Sequence, residues 1–156
     1  MFHYITKSPE ETVRLAVYLS NCIQQGLVLC LRGDLGAGKT CFAQGLIHAL
    51  GVSCQVVSPT FNIMNTYTTR LPIHHFDLYR LESEEELYEI GFFEYVEDRE
   101  AVNLIEWPDR FMEILPENYI LVDFERMEGN EQERIITFSL AGERDSKVFK
   151  ELEKFC

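Results

Sequence analysis

The sequence contains no hydrophobic run long enough to cross a membrane. Its longest apolar stretch near the N-terminus covers residues 27–31, whereas a transmembrane helix needs about 20 such residues. The segment from Met1 to Tyr4 has no basic region followed by an apolar one, so it does not resemble a secretory signal. We therefore expect a soluble cytoplasmic protein.

Basic residues are also scarce. The chain has 14 Lys and Arg residues against 26 Asp and Glu residues, which gives a formal charge of −12 at pH 7. A surface with this charge repels the phosphate backbone of nucleic acids. The composition therefore argues against direct, non-specific binding of DNA or RNA.

Cysteine occurs five times, and no two cysteines form a C-x-x-C pair. An odd number without that spacing makes a disulfide framework or a structural zinc site a poor interpretation. Free thiols in a reducing compartment fit better. The five residues are Cys22, Cys30, Cys41, Cys54 and Cys156.

The chain has 156 residues, 46% of them hydrophobic, which is enough for one domain with a sizeable core. We expect a single domain over residues 1–156, built from alternating strands and helices, and such alternation favours an α/β sheet. Predicted helices cover a segment that starts at Ser8-Pro9 and ends at Gly26, and residues 39–50, 83–90 and, in the tail, 143–156. Predicted strands cover residues 27–32, 61–67, 73–79, 103–107, 119–124 and 134–140, and the last two form an antiparallel hairpin at an edge of the sheet.

One motif carries specific chemistry: residues 33–40 read Gly-Asp-Leu-Gly-Ala-Gly-Lys-Thr, which matches G-x-x-x-x-G-K-[ST]. Glycines allow the backbone to curl so that successive N–H groups face one centre, and the following helix adds its positive end. Lys39 would reach the β- and γ-phosphates of a nucleotide, and the Thr40 hydroxyl would bind Mg²⁺. An apolar strand before the motif and a helix after it give the context that this mechanism requires.

Such a loop needs a further acid beside Mg²⁺, at the end of a neighbouring strand. Glu106 and Asp77 both follow apolar segments, and the pattern does not choose between them. Thr60, after Ser58-Pro59, is either a switch residue that senses the γ-phosphate or a turn residue. The adjacent His74 and His75 point to opposite faces of a strand, so strand packing is the better interpretation of both.

Four segments together closely resemble the bacterial TsaE (YjeE) family, the ATPase subunits of tRNA threonylcarbamoyladenosine biosynthesis. They are the loop at 33–40, Ser-Pro-Thr-Phe at 58–61, His-Phe-Asp-Leu-Tyr-Arg-Leu at 75–81 and Ile-Glu-Trp-Pro at 105–108. The resemblance extends over about residues 5–140. It implies a three-layer α/β sandwich of the P-loop NTPase type, with a mainly parallel central sheet and antiparallel edge strands. It also implies weak ATP hydrolysis in cooperation with the proteins TsaD and TsaB, with tRNA contacted only through that complex.

The resemblance also assigns roles to individual residues. It implies Mg²⁺ binding by Thr40 and Glu106, a functional acid at Asp77, a switch at Thr60 and a functional ring at Trp107. ATP or ADP would be held by the loop residues and Cys41, with adenine near Pro9 and Arg134. The full set of expected nucleotide-binding residues is Pro9, Asp34, Leu35, Gly36, Ala37, Gly38, Lys39, Thr40, Cys41 and Arg134.

The chain departs from the family pattern at Cys41, where a second Thr is common. A thiol is a weaker hydrogen-bond donor than a hydroxyl, so we expect slightly weaker nucleotide binding than in a Thr variant. Two other functions stay open at this point: a small-molecule kinase, which would need an acceptor pocket and a lid, and a nucleotide-gated binding module in which hydrolysis is incidental. The absence of N-K-x-D gives no support to the usual guanine specificity of GTPases.

Overall fold

A computed structural model describes residues 1–155, and Cys156 lies outside the described residues. All strands join one seven-stranded sheet in the order β1-β7-β6-β2-β5-β4-β3. The strands are β1 (Phe2–Thr6), β2 (Val28–Gly33), β3 (Met64–Tyr67), β4 (Ile73–Asp77), β5 (Val102–Glu106), β6 (Tyr119–Met127) and β7 (Asn130–Ala141).

The centre of the sheet is parallel and both edges are antiparallel. β6, β2, β5 and β4 pair in parallel, β3 runs antiparallel to β4, and β7 and β1 extend the opposite edge as antiparallel strands. This arrangement confirms the predicted α/β class and its mainly parallel central sheet. The carboxyl ends of the four parallel strands therefore lie at one edge, where α/β sheets bind ligands.

Helices cover both faces of the sheet. They are α1 (Pro9–Cys22), α2 (Lys39–Ala49), α3 (Glu84–Glu89), α4 (Phe92–Val96) and α5 (Ser146–Glu153), together with a 3-10 helix at Asp109–Ile114. Side chains of α1, α2 and α5 share one core with the sheet, and those of α3, α4 and the 3-10 helix share another. The result is three layers, as predicted.

The strand β2 shows why two cores form. Leu29 and Leu31 belong to the core under α1 and α2, whereas Val28 and Cys30 belong to the core under α3 and α4. Successive side chains of a strand point to opposite faces, so an uninterrupted apolar run supplies both cores at once. The run at residues 27–31 is therefore a central strand buried on both faces.

Several element bounds differ from the predicted ones. Strand β1 was not predicted, because its outward Ile5 is apolar and its inward Thr6 is polar, which obscures the alternation. Strand β3 begins at Met64 rather than at residue 61, since the chain turns at Ile63, whose φ is +65°. Helix α1 ends at Cys22, before Gly26, and α4 and the 3-10 helix were also missed because they are too short for a clear period.

The caps of the helices follow the predicted chemistry. The Ser8 hydroxyl accepts a hydrogen bond from the backbone N–H of Glu11 at the start of α1. Ser83 and Glu86 form a reciprocal capping box on α3. Helix α5 lies within the predicted tail helix. Within residues 1–155, no helix combines the length and the apolar character required to cross a bilayer.

Candidate functional site

The register of the parallel strands places Asp77 and Glu106 side by side. Asp77 pairs with Glu106 between β4 and β5, and Glu106 pairs with Leu31 between β5 and β2. Leu31 faces the core under α2, and strand alternation gives the two carboxylates that same face. Both acids therefore end their strands beside the loop that follows β2.

The loop between β2 and α2 depends on glycine at two positions. Gly33 has φ +142°, and a Cβ there would lie 2.5 Å from the backbone oxygen of Phe124 on β6. Gly38 has φ +115° and is the N-cap of α2. These left-handed conformations, which glycine adopts without steric cost, curl the chain into a tight loop. A turn closes inside it, where the N–H of Ala37 donates to the carbonyl of Asp34 at 3.0 Å.

The first turn of α2 supplies unpaired donors at the end of the loop. The intrahelical hydrogen bonds of α2 start with the N–H of Phe42, which donates to the carbonyl of Gly38. The N–H groups of Lys39, Thr40 and Cys41 therefore have no acceptor in the helix itself. Together with the helix dipole, they form an anion-binding end.

Two arginines of the β6–β7 hairpin hold the outer side of the loop. Arg126 donates to the carbonyl of Leu35 at 2.9 Å, and Arg134 donates from Nε to the carbonyl of Ala37 at 2.8 Å. In a trans peptide, the N–H points away from the C=O. The N–H groups of Gly36 and Gly38, in the same two peptides, therefore face the opposite side of the loop. The hairpin guanidinium groups thus set the direction of the loop's donors.

Lys39 lies inside the loop rather than in solvent. Its Nζ donates to the carbonyls of Gly33 and of Asp34, the latter at 2.9 Å, and lies 3.8 Å from the centroid of the Trp107 ring. Burial lowers the pKa of Lys39, and the charges of Glu106 and nearby aspartates oppose that effect. The ammonium is therefore held at the centre of the site with reduced hydration.

Asp77 is engaged with the segment that precedes β3. Its Oδ2 accepts hydrogen bonds from the hydroxyls of Ser58 at 3.1 Å and Thr60 at 2.8 Å. Its Oδ1 accepts the backbone N–H of Tyr79 at 3.0 Å. Both carboxylate oxygens of Asp77 thus accept hydrogen bonds. In this conformation Asp77 holds Thr60, the predicted switch residue, in place.

Glu106 is buried and has a different partner. Its Oε1 lies 2.7 Å from Nε2 of His75, and both side chains are almost completely buried. Neither His75 nor Ser58 was predicted as a site residue. Strand alternation from Asp77 would have placed His75 on the face of the acids, but sequence alone does not give the register that brings it to Glu106.

These groups surround a cavity of about 360 Å³. Of the predicted residues, ten line it: Leu35, Gly36, Gly38, Lys39, Thr40, Cys41, Thr60, Asp77, Glu106 and Trp107. Asp34 and Ala37 do not; they line a separate cavity behind the loop, with Arg32 and Asp123. They act on the main cavity through the backbone, since the Asp34 carbonyl accepts hydrogen bonds from Lys39 Nζ and from the N–H of Ala37.

A smaller cavity of about 190 Å³ adjoins the loop on the side of α1 and the hairpin. It is lined by Pro9, Thr12, Gly36, Gly38, Cys41, Gln132 and Arg134. The structure thus brings the predicted Pro9 and Arg134 together, although the Arg134 guanidinium is bound to loop carbonyls. Cys41 lines both cavities.

The Cys41 thiol is turned toward α1. Its Sγ lies 3.9 Å from the carbonyl oxygen of Pro9, to which the S–H donates a weak hydrogen bond. Burial, assisted by the charge of Glu10, raises the pKa of Cys41. The side chain is therefore a neutral thiol at pH 7, and its one donor faces Pro9.

Trp107 closes the cavity from the end of β5. Its backbone has φ +58°, which is uncommon for a residue with a side chain. The indole contacts Lys39 and packs against Tyr79 in a tilted arrangement, with ring centroids 4.8 Å apart and ring planes at 52°. This unusual backbone turns the ring back over the loop instead of continuing the strand.

The donor set fits a hard cation that is shared with phosphate. Thr40 and Glu106 line one cavity, and a hydroxyl and a carboxylate are oxygen ligands that suit Mg²⁺. Within residues 1–155, no three or more His, Cys, Asp or Glu side chains are grouped so as to hold a metal ion. Mg²⁺ in phosphate chemistry needs only one or two protein ligands, with phosphates and water as the others.

Comparison with known proteins gives a consistent family. The family model described as "Threonylcarbamoyl adenosine biosynthesis protein TsaE" matches residues 6–136. The chain is 39% identical over 150 residues to the "tRNA threonylcarbamoyladenosine biosynthesis protein TsaE" of Bacillus subtilis, covering 96% of this chain and 92% of that protein. It is 36% identical over 129 residues to the protein of the same name from Treponema pallidum, covering 82% of this chain and 95% of that protein.

A solved structure supports the same assignment. The crystal structure of Bacillus subtilis YdiB superposes with a TM-score of 0.83 at 34% sequence identity, covering 99% of this chain and 95% of that chain. The sequence matches and the shared fold both extend over most of the molecule. The chain therefore belongs to the TsaE family, which is involved in tRNA threonylcarbamoyladenosine biosynthesis.

Proposed function

We propose that this protein is the Mg²⁺-dependent ATPase subunit of the threonylcarbamoyladenosine machinery, slow alone and accelerated by TsaD and TsaB in the cytoplasm. One observation carries the proposal. Lys39, Thr40 and Glu106 line a single cavity together with Leu35, Gly36 and Gly38 of the loop. Phosphoryl transfer to water requires groups of this kind, because the reaction is catalysed mainly by charge neutralisation and by positioning of the reactants.

Phosphate binding would use the backbone first. The loop N–H groups and the first turn of α2 would donate to the β- and γ-phosphates, and the Lys39 ammonium would neutralise their charge. Lys39 would have to give up part of its contact with the Gly33 and Asp34 carbonyls. The Trp107 ring, whose centroid lies 3.8 Å from Lys39 Nζ, would either move aside or cover the bound phosphate.

Thr40 and Glu106 would hold Mg²⁺, directly or through water. When bound, the ion supplies neutralisation of the charge that develops on the phosphate oxygens. Glu106 would also orient the attacking water, because it is the carboxylate of the pair without hydroxyl partners. Asp77 is occupied by Ser58 and Thr60, which favours a role in coupling to the switch.

The adenine would enter the smaller cavity between Pro9, Cys41 and Arg134. It is continuous with the phosphate loop through Gly36, Gly38 and Cys41, which line both cavities. Its position beside the start of α1 allows α1 and the hairpin to enclose a planar base.

The hydrogen bonds from the hydroxyls of Ser58 and Thr60 to Asp77 would hold the switch segment in its present conformation. To reach a γ-phosphate, Thr60 must release its 2.8 Å bond to the Asp77 carboxylate. A partner that stabilises the released conformation would increase the rate, as ordering of a switch segment does in other NTPases. This gives a physical reason for slow hydrolysis by the isolated chain.

The acidic segment from Glu82 to Glu100 is the candidate docking face for a partner subunit. Glu84 and Glu85 on α3 are exposed, whereas Glu86 accepts the N–H groups of Glu82 and Ser83. Those backbone hydrogen bonds lower the pKa of Glu86. Docking by charge would therefore use Glu84 and Glu85, and tRNA would be reached only through the complex.

Reconstitution with TsaB, TsaD and tRNA tests the proposal. We expect ATP hydrolysis to be slow for the chain alone and faster in the complex. Lys39→Ala should abolish ATP binding, and Glu106→Gln should bind ATP but reduce the rate by roughly a hundredfold. Glu153→Gln, at an exposed acid of α5 that does not line the main cavity, is the matched control and should leave the rate unchanged.

Three results would contradict this assignment. Rapid turnover by the isolated chain with no effect of the partners would exclude an accessory ATPase. Repeated modification cycles supported by Glu106→Gln would show that ATP only gates binding, with hydrolysis incidental. Consumption of ATP that depends on an added hydroxyl acceptor would identify a small-molecule kinase.

The pKa of Lys39 predicts an alkaline limit to ATP binding. Since burial places this pKa below its ordinary value of 10.5, the positive charge is lost as the pH rises through that lowered pKa. As the pH rises, affinity for ATP should therefore start to fall before pH 10.5 is reached, by up to about tenfold per pH unit. Calorimetric titration across this range measures it. Lys39→Arg, which keeps its positive charge over this range, is the control, and an equal decline in that variant would attribute the effect to other groups.

The thiol at Cys41 predicts a gain from hydroxyl substitution. In Cys41→Thr, a hydroxyl replaces a weak donor that faces Pro9, and one new neutral hydrogen bond to the nucleotide adds about 0.5–1.5 kcal/mol. ADP affinity should rise by roughly two- to tenfold for the same reason. Cys41→Val, which has the shape of Thr without the hydroxyl, should give no gain. An unchanged affinity for Cys41→Thr would reject the interpretation.

A further inference from the structure

His75 is the hydrogen-bond partner of the buried Glu106 carboxylate. It lies on β4, two residues before Asp77, and its side chain faces the core under α2. Its Nε2 is 2.7 Å from Glu106 Oε1, and the exposed fractions of the two side chains are 1% and 2%. No other hydrogen bond to the Glu106 carboxylate occurs within residues 1–155. The position and rotamer of this carboxylate therefore depend on His75.

The surroundings of the imidazole settle which nitrogen carries the proton. Nδ1 is buried and has no hydrogen-bond partner within the described residues. An ionised carboxylate can only accept hydrogen bonds. An unprotonated Nε2 would therefore place its lone pair against the carboxylate oxygen, whereas a protonated Nε2 donates a hydrogen bond to it. His75 is therefore an Nε2–H tautomer that donates to Oε1, and it leaves Oε2 without a protein donor.

A second histidine on the same strand provides a contrast. His74 points to the opposite face, where its Nε2 lies 3.2 Å from Asp98 Oδ2 and its Nδ1 lies 3.4 Å from the Thr66 hydroxyl. That pair lies on the side of α4, away from the cavity, and Asp98 is partly exposed. Adjacent residues thus form two His–carboxylate pairs, of which only one includes an acid of the site.

We propose that His75 is a positioning residue for Glu106: its Nε2–H fixes Oε1, so that Oε2 is presented to Mg²⁺ or to the metal's water. This inference rests on the proposed function, since it assigns Glu106 to the metal. Groups that hold a metal ligand in place typically contribute 10–100-fold to metal affinity or activity. His75 needs no contact with nucleotide or metal to have this effect.

The simple alternative is that His75 only fills space in the core. In that case its removal would lower stability without changing the Mg²⁺ dependence of nucleotide binding. A histidine is a costly residue for filling space at position 75. An apolar residue would fill the same space without burying an Nδ1 atom that has no hydrogen-bond partner. The two interpretations therefore predict different responses of metal affinity and of metal-free nucleotide affinity.

The test compares variants of His75 with the same variants of His74 in the full-length chain. Mn²⁺ binding to the ADP complex is followed by electron paramagnetic resonance, and ADP binding without metal by calorimetry. We expect His75→Leu and His75→Asn to weaken Mn²⁺ binding by about 10–100-fold and to leave metal-free ADP affinity unchanged. His75→Gln should recover part of the loss, because its amide N–H reaches further than that of Asn. His74→Leu and His74→Asn should bind Mn²⁺ like the wild type.

Thermal melting under the same conditions shows that each variant is folded during the measurement. If His75→Leu does not fold, the polar pair His75→Asn and His75→Gln carries the comparison. Wild-type Mn²⁺ affinity in the folded His75 variants, or an equal loss of metal-free ADP binding, would overturn the inference and leave the proposed function intact. A wild-type ADP complex that binds no Mn²⁺ would instead refute the metal site itself and the inference with it.

Discussion

The parallel register of β2, β5 and β4 is the constraint on which the site depends. It brings Leu31, Glu106 and Asp77 to one level at the carboxyl edge of the sheet. The chain leaves β2 directly into the loop at residues 33–38. A shift of one residue between β5 and β2 would turn Glu106 away from that loop and into the opposite core. The long apolar strands, buried on both faces, oppose such a shift. The hydrophobic cores thus position two carboxylates that are themselves unfavourable to bury.

A second constraint comes from the far edge of the sheet. Arg126 and Arg134, on the β6–β7 hairpin, donate to carbonyls of the loop, and Gly33 accommodates the backbone of Phe124 on β6. The hairpin therefore shapes the loop while it also borders the smaller cavity. In a chain with a formal charge of −12, these arginines and Lys39 concentrate positive charge around one loop. The same molecule presents an acidic face elsewhere, which suits the proposed role of a subunit that reaches tRNA through partners.

Sequence analysis could predict the features that depend on local pattern. The loop at 33–40, the capped helices and the doubly buried strand at 27–31 each have a signature within a few residues. The family followed from the order of four short motifs, and the matches over most of the chain confirm it. The local pattern identified Asp77 and Glu106 as strand-end acids without ranking them, and only the family resemblance gave them different roles. The structural difference between the two acids lies in their hydrogen-bond partners. Those partners, Ser58 for one and His75 for the other, depend on strand register and loop path, which no local pattern encodes. Arg134 was predicted beside adenine, and its bond to the loop carbonyls was missed for the same reason.

The central claim is that the γ-phosphate of ATP competes for Lys39, which now lies between two loop carbonyls and the Trp107 ring. Trp107 is the single tryptophan of the chain, and Lys39 Nζ lies 3.8 Å from the centroid of its ring, so its fluorescence reports on this contact. Titration with Mg²⁺ and a non-hydrolysable ATP analogue should change the emission saturably in the wild type and leave Lys39→Ala unchanged. Saturable binding of the analogue by calorimetry, with no change in Trp107 emission or with the same change in Lys39→Ala, would contradict the account.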